Sequence, residues 1–220
     1  MEVIRILFKK TGSAKYISHL DLNRCMGRIL RKSRIPLWYT EGFHPHLFLT
    51  FALPLSLGME SLCETMDVRL VDESYTMDEV KARLSEAFPH DLHILDAYPA
   101  KMKHTEIAFA RFSIDMQIGA EDAEALFKKI KNLLNSDKII VKKKSKSGKL
   151  NELDLKEKLK DFKLKISQDV LNLQLTLPAG CAENINPAML MEWLETELDE
   201  ALEFSITRTR LLTKELEDFV

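Results

Sequence analysis

Two passes of the same hydrophobic rhythm constrain this chain more than any single motif. Val3 to Lys9 alternates, with Ile4, Ile6 and Phe8 on one side, and the pattern predicts a strand. Ser18 to Ser33 places Leu22, Cys25, Met26, Ile29 and Leu30 at helical spacing. Leu47 to Leu53 and Thr65 to Val71 read as strands, the second with Met66, Val68 and Leu70 inward. Met77 to Phe88 reads as a helix and Asp91 to Tyr98 as a closing strand. The order is βαββαβ.

The order then recurs. Ala108 to Ile118 alternates, and Glu121 to Leu134 is helical through Leu126, Phe127, Ile130, Leu133 and Leu134. Ile139 to Val141 begins a strand, and the lysine-rich stretch 142–149 reads as a hairpin tip or loop. Phe162 to Ile166 and Leu171 to Leu177 alternate as two strands joined near Gln168-Asp169. Pro187 suits the first turn of a helix running through Leu190, Leu194, Leu198 and Leu202, and Ser205 to Leu211 closes the set. The expectation is an α+β chain of two tandem ferredoxin-like domains, residues 1–100 and 106–220. An extra strand or insertion around 150–168 makes the second copy imperfect.

With 220 residues, 45% of them hydrophobic, the chain suffices for one large core or two small ones. No run approaches the roughly 18 uncharged apolar residues of a membrane span, and the first residues, MEVIRILFKK, lack an apolar signal core. A cytoplasmic protein without membrane contact is expected. Cys25, Cys63 and Cys181 are odd in number and far apart, so no disulfide framework is expected. The absence of CxxC spacing argues against a zinc ribbon or an iron–sulfur cluster held by this chain alone.

Charge is segregated. Residues 1–50 hold nine Lys/Arg against three Asp/Glu, a net of +6, whereas residues 51–100 hold three against ten, a net of −7. Residues 138–165 carry eleven Lys against four acids, a net of +7, and residues 166–220 three bases against eleven acids, a net of −8. The two basic blocks read either as solvated faces or as surfaces for a polyanion.

Most residues suited to chemistry lie between Lys15 and Asp67. Ser18-His19-Leu20-Asp21 fits a helix-capping box. At 100° per residue, Arg24, Arg28 and Arg31 share a narrow arc opposite the apolar stripe, flanked by Lys32 and Asp21. Guanidinium groups so arranged can hold phosphate oxygens, or merely keep the outer face wet. His19, at the helix start, is disfavoured as an imidazolium and could accept a proton. His44-Pro45-His46 follows the turn residue Gly42, and Trp38, Tyr39, Phe43 and Phe48 bracket the loop with faces on which unstacked bases could lie. His19 and His46 are expected to line a cleft beside Phe43 without holding a metal. No phosphate-cradling GxxxxGK[ST], GxGxxG or GxSxG motif is present.

The run KYISHLDLNRCMGRILRKSRIPLWYTEGFHPHLFLTFALPLSLGMESLCETMDVRL closely resembles a bacterial radical-SAM-linked family of unknown function. Its members show a SHLD helix, an arginine-spaced stretch, a GFNPHP loop and a strand ending in a proline–glycine turn. His44 stands where the family has asparagine, and Leu47 replaces the second proline of its loop. The resemblance implies partnership in trans with a radical SAM enzyme that carries the radical chemistry, this chain needing no cofactor of its own.

The expected function is therefore an accessory protein presenting RNA, or an RNA-associated substrate, to that enzyme. Arg24, Arg28, Arg31 and Lys32 would hold phosphates, while Phe43 and His44 shape the substrate loop with His46 beside them. An RNA-processing enzyme using His19 or His46 as general base remains an alternative, as does an interaction adaptor without nucleic acid.

Overall fold

The computed structural model describes residues 2–72, 74–118, 123–144, 150–167 and 169–220, without the side chains of 143, 144 and 150. The chain is mixed α+β, with four α-helices among the described residues. It divides into two compact units, Met1–Glu106 with Phe219–Val220, and Ile107–Asp218. No helix among the described residues is long and apolar enough to cross a membrane.

The first unit contains β1 (Glu2–Lys10), α1 (His19–Lys32), β2 (Leu49–Phe51), β3 (Glu60–Leu70), α2 (Met77–Ala87) and β4 (Ile94–Pro99). β1 lies between β3 and β4, and β2 pairs with β3, each pairing antiparallel. Ile4, Ile6, Phe8, Met66, Val68 and Leu70 form one buried face, against which Leu22, Met26, Ile29 and Leu30 of α1 and Val80 and Leu84 of α2 pack. The period-2 strands and 3.6-period helices thus meet apolar stripe to apolar face.

Caps delimit both helices. Ser18 Oγ accepts a hydrogen bond from the Asp21 amide at 3.2 Å, and the Ser18 hydroxyl donates to the Asp21 carboxylate at 2.7 Å. The reciprocal half of the expected capping box therefore goes to the hydroxyl and not to a main-chain amide. α2 carries the complete box: the Thr76 hydroxyl accepts from the Glu79 amide, and the Glu79 carboxylate accepts from the Thr76 amide at 2.9 Å.

β3 begins five residues earlier than its alternation suggests, because Ser61 and Glu64 are polar yet buried. The other face of β1 and β3 is closed as well. Arg5 is wholly buried and grips Asp67 in a two-pronged pair, Nε to Oδ1 at 2.8 Å and Nη2 to Oδ2 at 2.9 Å. Two more of its donors reach the main-chain oxygens of Met102 at 2.7 Å and Val220 at 3.1 Å. His104 Nε2 stands 2.8 Å from Asp67 Oδ2, and the Phe219 ring lies 4.2 Å from the Arg5 guanidinium carbon. A buried charge survives in a protein interior only when paired and hydrogen-bonded in this way.

The second unit contains β5 (Phe109–Gln117), α3 (Ala123–Leu134), β6 (Ile140–Lys144), β7 (Leu150–Asp154), β8 (Asp161–Ser167), β9 (Val170–Pro178), α4 (Ala188–Leu198) and β10 (Glu203–Leu212). Its strands run β10-β5-β9-β8, again antiparallel. Among the described residues β6 and β7 pair only with each other. The inserted element is thus this hairpin within 140–154, and β8 belongs to the main sheet. Lys142 lies in β6, whereas 145–149 of the lysine-rich stretch lie outside the described residues.

Candidate nucleic-acid interface

α1 presents its arginines as the spacing requires. With Leu22, Met26, Ile29 and Leu30 turned into the core, Arg24, Arg28, Arg31 and Lys32 are all exposed. Arg24 meets Asp21 at 3.1 Å, with both side chains about two-thirds in water. Such an exposed pair adds little to stability and is screened by salt. The Asp21 carboxyl is held below its ordinary range by the Ser18 hydroxyl and, next, by Arg24. Among the described residues no ion pair engages Arg28, Arg31 or Lys32. The Arg31 guanidinium lies about 4.0 Å from where a Cβ on Gly27 would stand.

The GFHPH loop caps a narrow two-stranded arm. Leu37 bridges Leu70 of β3, and Tyr39 bridges Leu47. The Phe48 amide donates to the Trp38 carbonyl at 3.2 Å, and the Thr40 amide to the His46 carbonyl at 2.8 Å. A hairpin of this size is marginal by itself. Arg69 of β3 stiffens it, its guanidinium carbon 4.9 Å from the Trp38 ring and 4.5 Å from the Phe48 ring. Spacing along the chain does not reveal Arg69 as part of the loop, since its role depends on strand register.

Among the four aromatic residues, Trp38 and Phe48 are consequently committed to the arm. Tyr39 is exposed, and Phe43 at the tip is fully exposed. Gly42 takes φ +124°, a conformation that glycine tolerates far better than other residues, although a Cβ there would meet no neighbour. His44 is exposed, and its carbonyl oxygen lies 3.3 Å from His46 Nδ1. That same nitrogen is 2.9 Å from Thr40 Oγ1, which also accepts the His46 amide proton at 3.1 Å.

The expected cleft shared by His19 and His46 does not form beside Phe43, because the Phe43 ring stands free in solvent. The His19 ring instead packs edge-on against Phe51, with centroids 5.2 Å apart. Residues 46 and 51 mark opposite ends of a largely extended run of about 16 Å. Among the described residues no group of three or more His, Cys, Asp or Glu side chains is placed to hold a metal.

An α+β chain with a capped cationic helix and a stiffened aromatic arm in its first unit is the class that fold and site define. Residues 4–187 match the family described as "uncharacterized protein conserved in bacteria (DUF2344)", and the chain belongs to that family. No curated protein matches it. Among solved structures, a Cbf5-Nop10-Gar1 complex is similar at 10% identity and a TM-score of 0.49 over 94% of this chain. This chain spans 48% of the chain it matches there. An unknown protein from Galdieria sulphuraria is similar at 9% identity and a TM-score of 0.26, over 94% of this chain and 98% of that one. At these scores the likeness assigns neither fold nor function.

Proposed function

We propose that this protein is an accessory RNA-binding module built of two tandem ferredoxin-like units, serving a separate radical SAM enzyme. The strand orders β4-β1-β3-β2 and β10-β5-β9-β8, with two helices in each unit, support the tandem reading. The RNA reading is carried by the run of exposed cations along α1, of which only Arg24 has an acidic partner among the described residues. Tyr39 and Phe43 add exposed aromatic faces of the kind on which single-stranded bases stack. Partnership with a radical SAM enzyme rests on the SHLD and GFHPH motifs.

A short single-stranded RNA titrated against the full chain across a salt series tests this. Replacing Arg24, Arg28 and Arg31 together by glutamine is expected to weaken binding similarly for all sequences. The slope of log affinity against log salt should fall by roughly 0.7 for each phosphate no longer held. Stability should move by no more than about 0.5 kcal/mol, since all three side chains face water. Unchanged affinity and slope would reduce the ridge to a solvated surface.

Phe43→Ala tests the arm. Removing a stacking face is expected to weaken RNA binding by about 1–3 kcal/mol with no change in salt slope. Unchanged affinity would show that the tip does not stack on bases.

A further inference from the structure

The cationic face of α1 does not stop at the helix end. Lys32, Ser33 and Arg34, together with Arg83, Glu86 and Ala87 on α2, line an open groove of about 580 Å³. Lys32 belongs both to the flank of the arginine arc and to this groove, so the positive strip continues from one helix to the next. Three cations face one carboxylate there.

At the groove, the Arg34 backbone and the Arg83 side chain meet. Arg34 adopts φ +57°, a left-handed conformation that residues other than glycine seldom take. Its carbonyl oxygen accepts a hydrogen bond from Arg83 Nη1 at 3.4 Å. The Arg83 guanidinium carbon also lies 5.0 Å from the Tyr75 ring centroid. A guanidinium has five N–H donors, so Arg83 can keep its bond to Arg34 and still present others to a ligand. Lysine and arginine at a helix C-terminus commonly do no more than offset the helix dipole. Arg83 comes from a different helix, and one bond to the Arg34 carbonyl leaves its other donors available.

We infer that this groove seats a phosphate group of the RNA strand, held by Lys32, Arg34 and Arg83. The inference rests on the RNA-binding reading above and extends it to residues beyond the arc. Guanidinium forks match the tetrahedral array of phosphate oxygens, and the groove has room for a backbone phosphodiester or for a terminal phosphate. Glu86 faces the same space and orients the strand by repelling it from one side.

The test uses the full chain and one 12-nucleotide single-stranded RNA, prepared with either a 5′-hydroxyl or a 5′-phosphate, read by fluorescence anisotropy over a salt series. The Arg34→Gln, Arg83→Gln double variant is expected to bind on the order of tenfold more weakly, with its salt slope reduced by roughly 0.7 for each phosphate released. Arg83→Lys, which keeps the charge, should retain the wild-type slope, and melting curves confirm that each variant is folded. A terminal phosphate in the groove makes the 5′-phosphorylated strand the tighter ligand in the wild type alone. A backbone phosphate there makes the two strands equal, and either result supports the assignment when the groove variant loses affinity as expected. Wild-type binding that is weakened by the arc variant but unchanged by the groove variant would overturn the groove alone. Failure of the wild type to bind either strand would overturn the RNA reading, and the groove with it.

Discussion

Replacing Asp67 by alanine is expected to lower stability at neutral pH by about 3–5 kcal/mol, because it strands a buried guanidinium without its counter-charge. Arg5 has no exposed surface, and two of its hydrogen bonds end on this carboxylate. Burial pushes the Asp67 carboxyl up, but the hydrogen bonds and charge of Arg5, with His104 close by, outweigh it, so the group titrates below its ordinary range. A carboxyl whose folded pKa is depressed adds stability above its unfolded pKa of about 3.9 and loses it as pH falls through the folded value. Urea unfolding of the wild type should therefore show an acid-labile component below about pH 4 that Asp67→Asn lacks. Substituting Arg5 by methionine together with Asp67 by leucine should recover much of the deficit, since a packed apolar pair of similar volume often equals a buried ion pair. A drop under about 1 kcal/mol for Asp67→Ala would show that the pair does not anchor the unit.

Gly180→Ala should cost about 3 kcal/mol, the upper end of ordinary overpacking. A Cβ on this residue would lie 2.2 Å from the Ile107 carbonyl oxygen, well inside contact distance. Neither side has room to yield. The Ala179 amide is bonded to the Ala108 carbonyl at 2.9 Å, and the Ala108 amide to the Leu212 carbonyl at 2.9 Å. Relief thus requires breaking ladder bonds at the edge of the second unit. Gly42→Ala provides the contrast, because its arm is open and only its φ is strained. Urea midpoints for the two variants decide the matter, and a Gly180→Ala effect below about 0.5 kcal/mol would mean the strands part easily there.

These two positions illustrate what periodicity can reach. α1, α2, β1, β5 and β9 fall where their alternating or helical spacing places them, since each buries a single apolar face. β3 begins too late in such a reading, because Ser61 and Glu64 look like loop residues until their burial is known. Arg5 and Asp67 sit on alternating strands at positions that ordinarily face water, and only the pairing of β1 with β3 brings them opposite each other. The cationic arc is legible because it lies within one helix. Arg69 in the arm and Arg83 in the groove are not, since each acts on residues distant in sequence. His19 and His46 look alike as candidates in the sequence, and only their contacts tell them apart: His19 packs on Phe51, whereas His46 bonds Thr40.

The hydrogen bond from Arg5 to Val220 joins residues 215 positions apart, and it gives the molecule a schedule. During synthesis β1 emerges early, and Asp67 and His104 become available before the second unit is made. Phe219 and Val220 follow the whole of that unit, so the first unit remains unsealed over its buried charge until its neighbour has been translated. Late closure of that kind is set by order along the chain and not by strength of contact.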